Sequence, residues 1–126
     1  MHKSKLAGFI IDCQTDDLDG AAGFWGAALG MAVRLLPPDE AATYKKLEDN
    51  QHGLCIEVQT VNHPSRVHLD IESDDIEAEV LRLEKLGATR VQAIKGWVVM
   101  QAPTGQRFCV VRVLSKDFAA TATQWP

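Results

Sequence analysis

The chain reads as an α+β domain of two β-α-β-β-β modules, and three features of its sequence carry that reading. From Arg66 to Glu72 polarity alternates with period two, and the run leads into a capped amphipathic helix that stops at Leu86-Gly87. Half a chain earlier, Asp16-Asp17-Leu18-Asp19 leads in the same way to Leu29-Gly30. Turn glycines Gly53 and Gly105 each precede a strand with a polar or thiol side chain four residues on, Glu57 and Cys109. Such an internal repeat predicts two similar modules sharing one sheet system.

Each element follows from local chemistry. Leu6 to Cys13, almost wholly apolar, predicts a buried first strand. Thr15-Asp16-Asp17 offers N-cap oxygens for a helix to Leu29, with Gly30 as its left-handed stop and Leu18, Ala22, Trp25 and Leu29 as its apolar stripe. Gly20, Gly23 and Gly26 weaken that helix by about 1 kcal/mol each relative to alanine, so packing must rescue it, or another element must come close. Met31 to Leu36 reads as a short strand, Pro37 to Ala42 as a loop, Tyr44 to Glu48 as a strand, and Asp49 to Gly53 as a turn. Leu54 to Thr60 alternates, with Leu54, Ile56 and Val58 on one face and Cys55, Glu57 and Gln59 on the other. Asn62 to Ser65 links the halves.

In the second half, Val67, Leu69 and Ile71 face one way; Arg66, His68, Asp70 and Glu72 face the other, with Asp70 and Glu72 expected as rim charges. Asp74 with Glu77 is a capping-box pattern, and Ser73 is an alternative cap. Ile76, Val80, Leu83 and Leu86 share a helical stripe. Thr89 to Ile94 and Trp97 to Gln101 form strands about Lys95-Gly96, and Arg107 to Val113 is the last strand. The domain is thus expected over residues 1–114, with modules at about 5–60 and 65–113, and 115–126 as a tail on which Phe118 and Trp125 could dock.

Composition excludes several classes. Seventeen acidic against thirteen basic residues leave no footprint for nucleic acid or an anionic membrane. The apolar run Leu6 to Ile11 is too short for a signal peptide core or a membrane span. Three widely spaced cysteines, Cys13, Cys55 and Cys109, without a C-x-x-C pair, fit reduced thiols in a cytoplasmic protein.

The stretches Asp17-Leu18 through Phe24-Trp25 to Leu29-Gly30-Met31, Val67-His68-Leu69-Asp70-Ile71 with Asp74-Asp75, Leu86-Gly87-Ala88, and Ala102-Pro103-Thr104-Gly105-Gln106-Arg107-Phe108 together resemble the vicinal-oxygen-chelate superfamily. That superfamily holds glyoxalase I, extradiol dioxygenases and bleomycin-resistance proteins, and the likeness is greatest to its small glyoxalase-like domain proteins. It implies curved mixed sheets around a cup with helices outside, a small-molecule ligand and a homodimer.

The resemblance also implies metal ligands on the first and last strands of each module. The first-strand position falls on Gly8 or Ile10, neither a ligand; the others fall on Glu57, His68 and Cys109. Two nitrogen and oxygen donors with a thiol suit zinc better than the harder ions, so the expectation is zinc if any metal, and otherwise no tightly bound cofactor. The candidate acid–base residues are Glu57 and His68, with Cys109, Asp70, Arg107 and Trp97 lining the pocket. Each has a plainer reading: His68 a hydrogen-bonded histidine, Glu57 a carboxylate paired with Arg66 or Arg107, Cys109 a buried thiol, Trp97 core. Three functions compete: a glyoxalase-type lyase, isomerase or dioxygenase-like enzyme, a bleomycin-resistance-type binding protein, and a structural dimer with a vestigial pocket.

Overall fold

The computed structural model describes residues 1–126. It is an α+β fold divided into two compact units, one of residues 9–67 and one of residues 68–126 with 1–8. The long first strand, β1 (His2–Cys13), contributes to both.

The 9–67 unit adds α1 (Leu18–Leu29), β2 (Val33–Arg34), α2 (Pro38–Ala41), β3 (Tyr44–Leu47) and β4 (Cys55–Thr60), with strand order β2-β3-β4-β1. Asp17 caps α1 by accepting the Gly20 N–H at 2.9 Å, and Gly30 closes it in the left-handed region at φ 69°. Leu18 and Ala22 bury against Ile11, Leu47, Ile56 and Val58, with Trp25 and Phe9 packed at the edge. Leu29, expected on the stripe, is exposed. A close approach occurs at Gly26, where a Cβ would lie 2.9 Å from the Met31 carbonyl oxygen; at Gly23 it would meet nothing. The strand expected over Met31 to Leu36 shrinks to Val33–Arg34, which pairs with Leu47 and Lys46. The expected Pro37–Ala42 loop instead contains α2, with Pro38 in its first turn, where a missing N–H costs nothing.

The other unit adds β5 (Arg66–Ser73), α3 (Ile76–Lys85), β6 (Thr89–Ile94), β7 (Trp97–Gln101), β8 (Arg107–Arg112), α4 (Phe118–Thr121) and β9 (Thr123–Trp125). Its strands run β5-β8-β7-β6, the order of the 9–67 unit repeated. Val80 and Leu83 of α3 pack on Val98, Met100 and Val110. The helix is capped by Asp75, which accepts the Ala78 N–H at 3.0 Å, rather than by Asp74. Asp74 instead accepts the Lys3 N–H at 2.8 Å, while Ser73 Oγ takes the Asp75 N–H at 3.1 Å.

Two expectations about burial are corrected. Asp70 and Glu72 are not rim charges: Glu72 is 0% exposed and Asp70 8%. Val67 and Leu69, on the apolar side of β5, are 57% and 51% exposed, and of that side Ile71 alone joins the cluster under α3. The alternation itself holds.

Residues 115–126 form an integral part of their unit. β9 pairs antiparallel with His2–Ser4, and Phe118 is buried. Trp125 Nε1 donates to Ser4 Oγ at 2.8 Å, and the Arg82 guanidinium lies 3.8 Å from the centre of the Trp125 ring. Lys5 reaches Asp117 at 2.9 Å, holding that carboxyl below its usual range. No helix is long and apolar enough to cross a membrane.

Candidate functional site

The register fixes which side chains share a face. In the 68–126 unit β5 runs parallel to β8 with Asp70 opposite Cys109, and β7 runs antiparallel to β8 with Val99 opposite Cys109 and Gln101 opposite Arg107. Phe108, Val110, Val98 and Met100 point to α3. By alternation, His68, Asp70, Glu72, Trp97, Gln101, Arg107 and Cys109 lie on the opposite face. His68, Asp70, Arg107, Trp97 and Cys109, all singled out in the sequence, therefore share one surface of one sheet.

Three of them converge. One ligand atom each from His68, Asp70 and Cys109 lies within 4.8 Å of the other two. His68 Nε2 is 3.7 Å from Asp70 Oδ1, with both side chains largely shielded. Beside them Arg107 Nε donates to Gln101 Oε1 at 3.0 Å, which fixes its charged end near the strand edge. Trp97 is half-buried, opposite Val111.

Glu72, further along the same face, has a positional role that alternation did not reveal. Its Oε1 accepts from the Ser115 hydroxyl at 2.7 Å and from the N–H groups of Ser115 and Leu114 at 3.1 and 3.4 Å. It thereby anchors the chain as it leaves β8. Oε2 is buried without a hydrogen-bond partner.

Glu57 belongs to the 9–67 unit. It lies on the face of β4 opposite Ile56 and Val58, in register with Lys46, and is half-buried. On that face Gln59 Nε2 donates to the Tyr44 hydroxyl at 3.0 Å. Arg66 approaches Asp12, 2% exposed, with Nε 3.5 Å from its Oδ2, and Arg107 binds Gln101. Asp12 is a buried carboxylate directly after the apolar run Leu6 to Ile11. Cys13 next to it is pushed up in pKa by burial and by the Asp12 charge, against a contact with Trp25. The unit also has an open cavity of about 540 Å³, lined by Thr15, Thr43, Gln59, Thr60, Val61, Asn62 and His63. Its lining is polar and carries no carboxylate or thiol. His52 pairs with Asp49 at a turn and is mostly exposed.

This fold, two β-α-β-β-β repeats, is shared with a solved member of the glyoxalase, bleomycin-resistance and dioxygenase superfamily. Residues 8–111 match the glyoxalase-like domain, and the chain belongs to that family. Among solved structures it is similar to a hypothetical protein from Bacillus halodurans C-125 (12% identity, TM-score 0.64, covering 90% of this chain and 96% of that one). It is also similar to methylmalonyl-CoA epimerase from Mycobacterium tuberculosis (17% identity, TM-score 0.63, 91% of each chain). A third is a glyoxalase/bleomycin resistance protein/dioxygenase superfamily member from Vibrio splendidus 12B01 (18% identity, TM-score 0.53, 86% of this chain and all of that one). No curated protein matches it in sequence.

Proposed function

We propose that the chain binds a small oxygenated metabolite against the polar face of β5, β8 and β7 and acts on it by acid–base chemistry of the lyase or isomerase type. The observation that carries this reading is the convergence of His68, Asp70 and Cys109 on one sheet face. With no ion bound, His68 is the proton-transfer group, an imidazole able both to give and to take a proton. Asp70 Oδ1, 3.7 Å from the ring, favours one orientation and one tautomer. Arg107 supplies a positive charge for a carboxylate or enolate oxygen, and Trp97 an apolar wall. Glu57 is the second acid–base candidate, on the grounds of residue type and strand position. A homodimer, as the superfamily resemblance implies, would be detected by sedimentation.

A thermal-shift screen of 2-oxoaldehydes, small oxo-acids and, because of the epimerase neighbour, acyl-CoA thioesters is the test. A class that raises the melting temperature of the wild type but not of Arg107→Ala supports binding on this face. Exchange of a substrate C–H proton with deuterated water, lowered at least a hundredfold in His68→Gln, supports catalysis. Glu57→Gln asks separately whether that carboxylate takes part. Binding without exchange would leave the drug-binding reading, and no shift with any class would overturn the proposal.

A further inference from the structure

We propose that His68, Asp70 and Cys109 form a zinc-selective site with one open coordination position, built wholly within the 68–126 unit. The ligand set carried over from the superfamily takes its carboxylate from Glu57, in the other unit. Here the carboxylate comes from Asp70.

Strand geometry makes the set possible. His68 and Asp70 are two residues apart on β5 and so project from the same face, while Cys109 is the register partner of Asp70 on β8. With Zn–N and Zn–O near 2.0 Å and Zn–S near 2.3 Å, tetrahedral donors stand about 3.3–3.5 Å apart. The three atoms already lie within 4.8 Å of one another, so side-chain rotation closes the gap without moving the ladder.

A nucleophile relay is the rival use of such a trio, and the geometry favours the metal. A relay needs both imidazole nitrogens, one toward the thiol and the other toward the carboxylate. Here a single ring nitrogen serves both neighbours within the same limit, as convergence on one ion requires. The donor set then selects the ion. A thiolate favours zinc over manganese, ferrous iron or magnesium, and zinc accepts nitrogen, oxygen and sulfur together. Asp70 and Cys109 are buried, so a cation held between them would sit shielded from water, where ion–ligand attraction is strongest. Three protein ligands with a fourth position open is the pattern of reactive rather than purely structural zinc. That position would take a single carbonyl or carboxylate oxygen, and with the ion bound His68 would serve as a ligand rather than transfer a proton.

The test uses the full chain, reduced and freed of metal with a chelator, then titrated with Co²⁺ and Zn²⁺. The expected result is one equivalent bound, with a near-ultraviolet thiolate-to-cobalt absorption band that Zn²⁺ abolishes. Cys109→Ser should lose the band and Asp70→Asn should weaken binding tenfold or more. Glu57→Gln, Cys13→Ser and Cys55→Ser should keep both band and stoichiometry. Absence of the band in the folded wild type overturns the proposal, as does its survival in Cys109→Ser. Loss of binding in Glu57→Gln with Asp70→Asn unaffected would do the same, in favour of the set shared between units. Because the readout is metal uptake, a protein that binds metabolite but no metal would refute this site alone.

Discussion

The two units repeat one topology but serve their buried carboxylates differently. In the 9–67 unit the shielded acids are answered by residues of that unit: Asp12 by Arg66, and Asp49 by the N–H groups of Gln51, His52 and Leu54 in its own turn. Those turn donors, against a cost of burial, hold the Asp49 carboxyl below its usual range. The 68–126 unit completely buries Glu72 and Glu79 and answers them in part with groups outside the β-α-β-β-β repeat. Glu72 is met by Leu114 and Ser115 beyond β8. Glu79 is met by His2 at 2.8 Å as well as by Arg82, whose two contacts are 2.8 and 2.9 Å. A duplicated module can thus carry charge in its interior when flanking segments supply the donors, and it then depends on them.

The largest expected effect breaks that dependence. Glu79→Ala leaves Arg82 and His2 facing an empty site and should lower the unfolding free energy by about 3 kcal/mol, measured by urea denaturation. Burial opposes ionisation of Glu79, but Arg82, His2 and Ser4 hold its carboxyl below the ordinary range. Its contribution is therefore complete above the unfolded carboxylate pKa near ~4.3 and is lost as pH falls through the lower folded value. Glu79→Gln should flatten that part of the acid limb, and an unchanged limb would count against the network.

Next come the matched caps. Asp17→Ala and Asp75→Ala each remove one helix-capping bond and should cost about 1 kcal/mol in either unit, an equality that urea midpoints can check. The smallest effects lie within α1. Gly23→Ala meets open space and should stabilise by about 0.5–1 kcal/mol, whereas Gly26→Ala presses on the Met31 carbonyl and should lower the melting temperature.

Much of this was legible from residue spacing. Alternation along Arg66–Glu72 correctly grouped His68 with Asp70 on one face, and Leu29-Gly30 and Leu86-Gly87 correctly marked the two helix ends. What period two does not encode is which face is covered. Val67 and Leu69 look like core and lie open, while Glu72 looks like rim and is sealed by residues more than forty positions away. Ser73-Asp74-Asp75 offered three adjacent oxygens, and the contact of Asp74 with Lys3 decided which of them caps the helix. Asp70 was legible as a neighbour of His68. Its meeting with Cys109 depended on the offset between two strands nearly forty residues apart, which no local pattern reports.

The pairing of His2 with Trp125 joins residues more than a hundred positions apart in the sequence. During synthesis residues 9–67 emerge before any of β9, but the unit bearing His68 is complete only once residues 123–125 return to residues 2–4. Until then the opening strand is an unsatisfied edge on the nascent chain. Truncation just before Trp125 would therefore loosen residues 2–4 as well as the segment it removes.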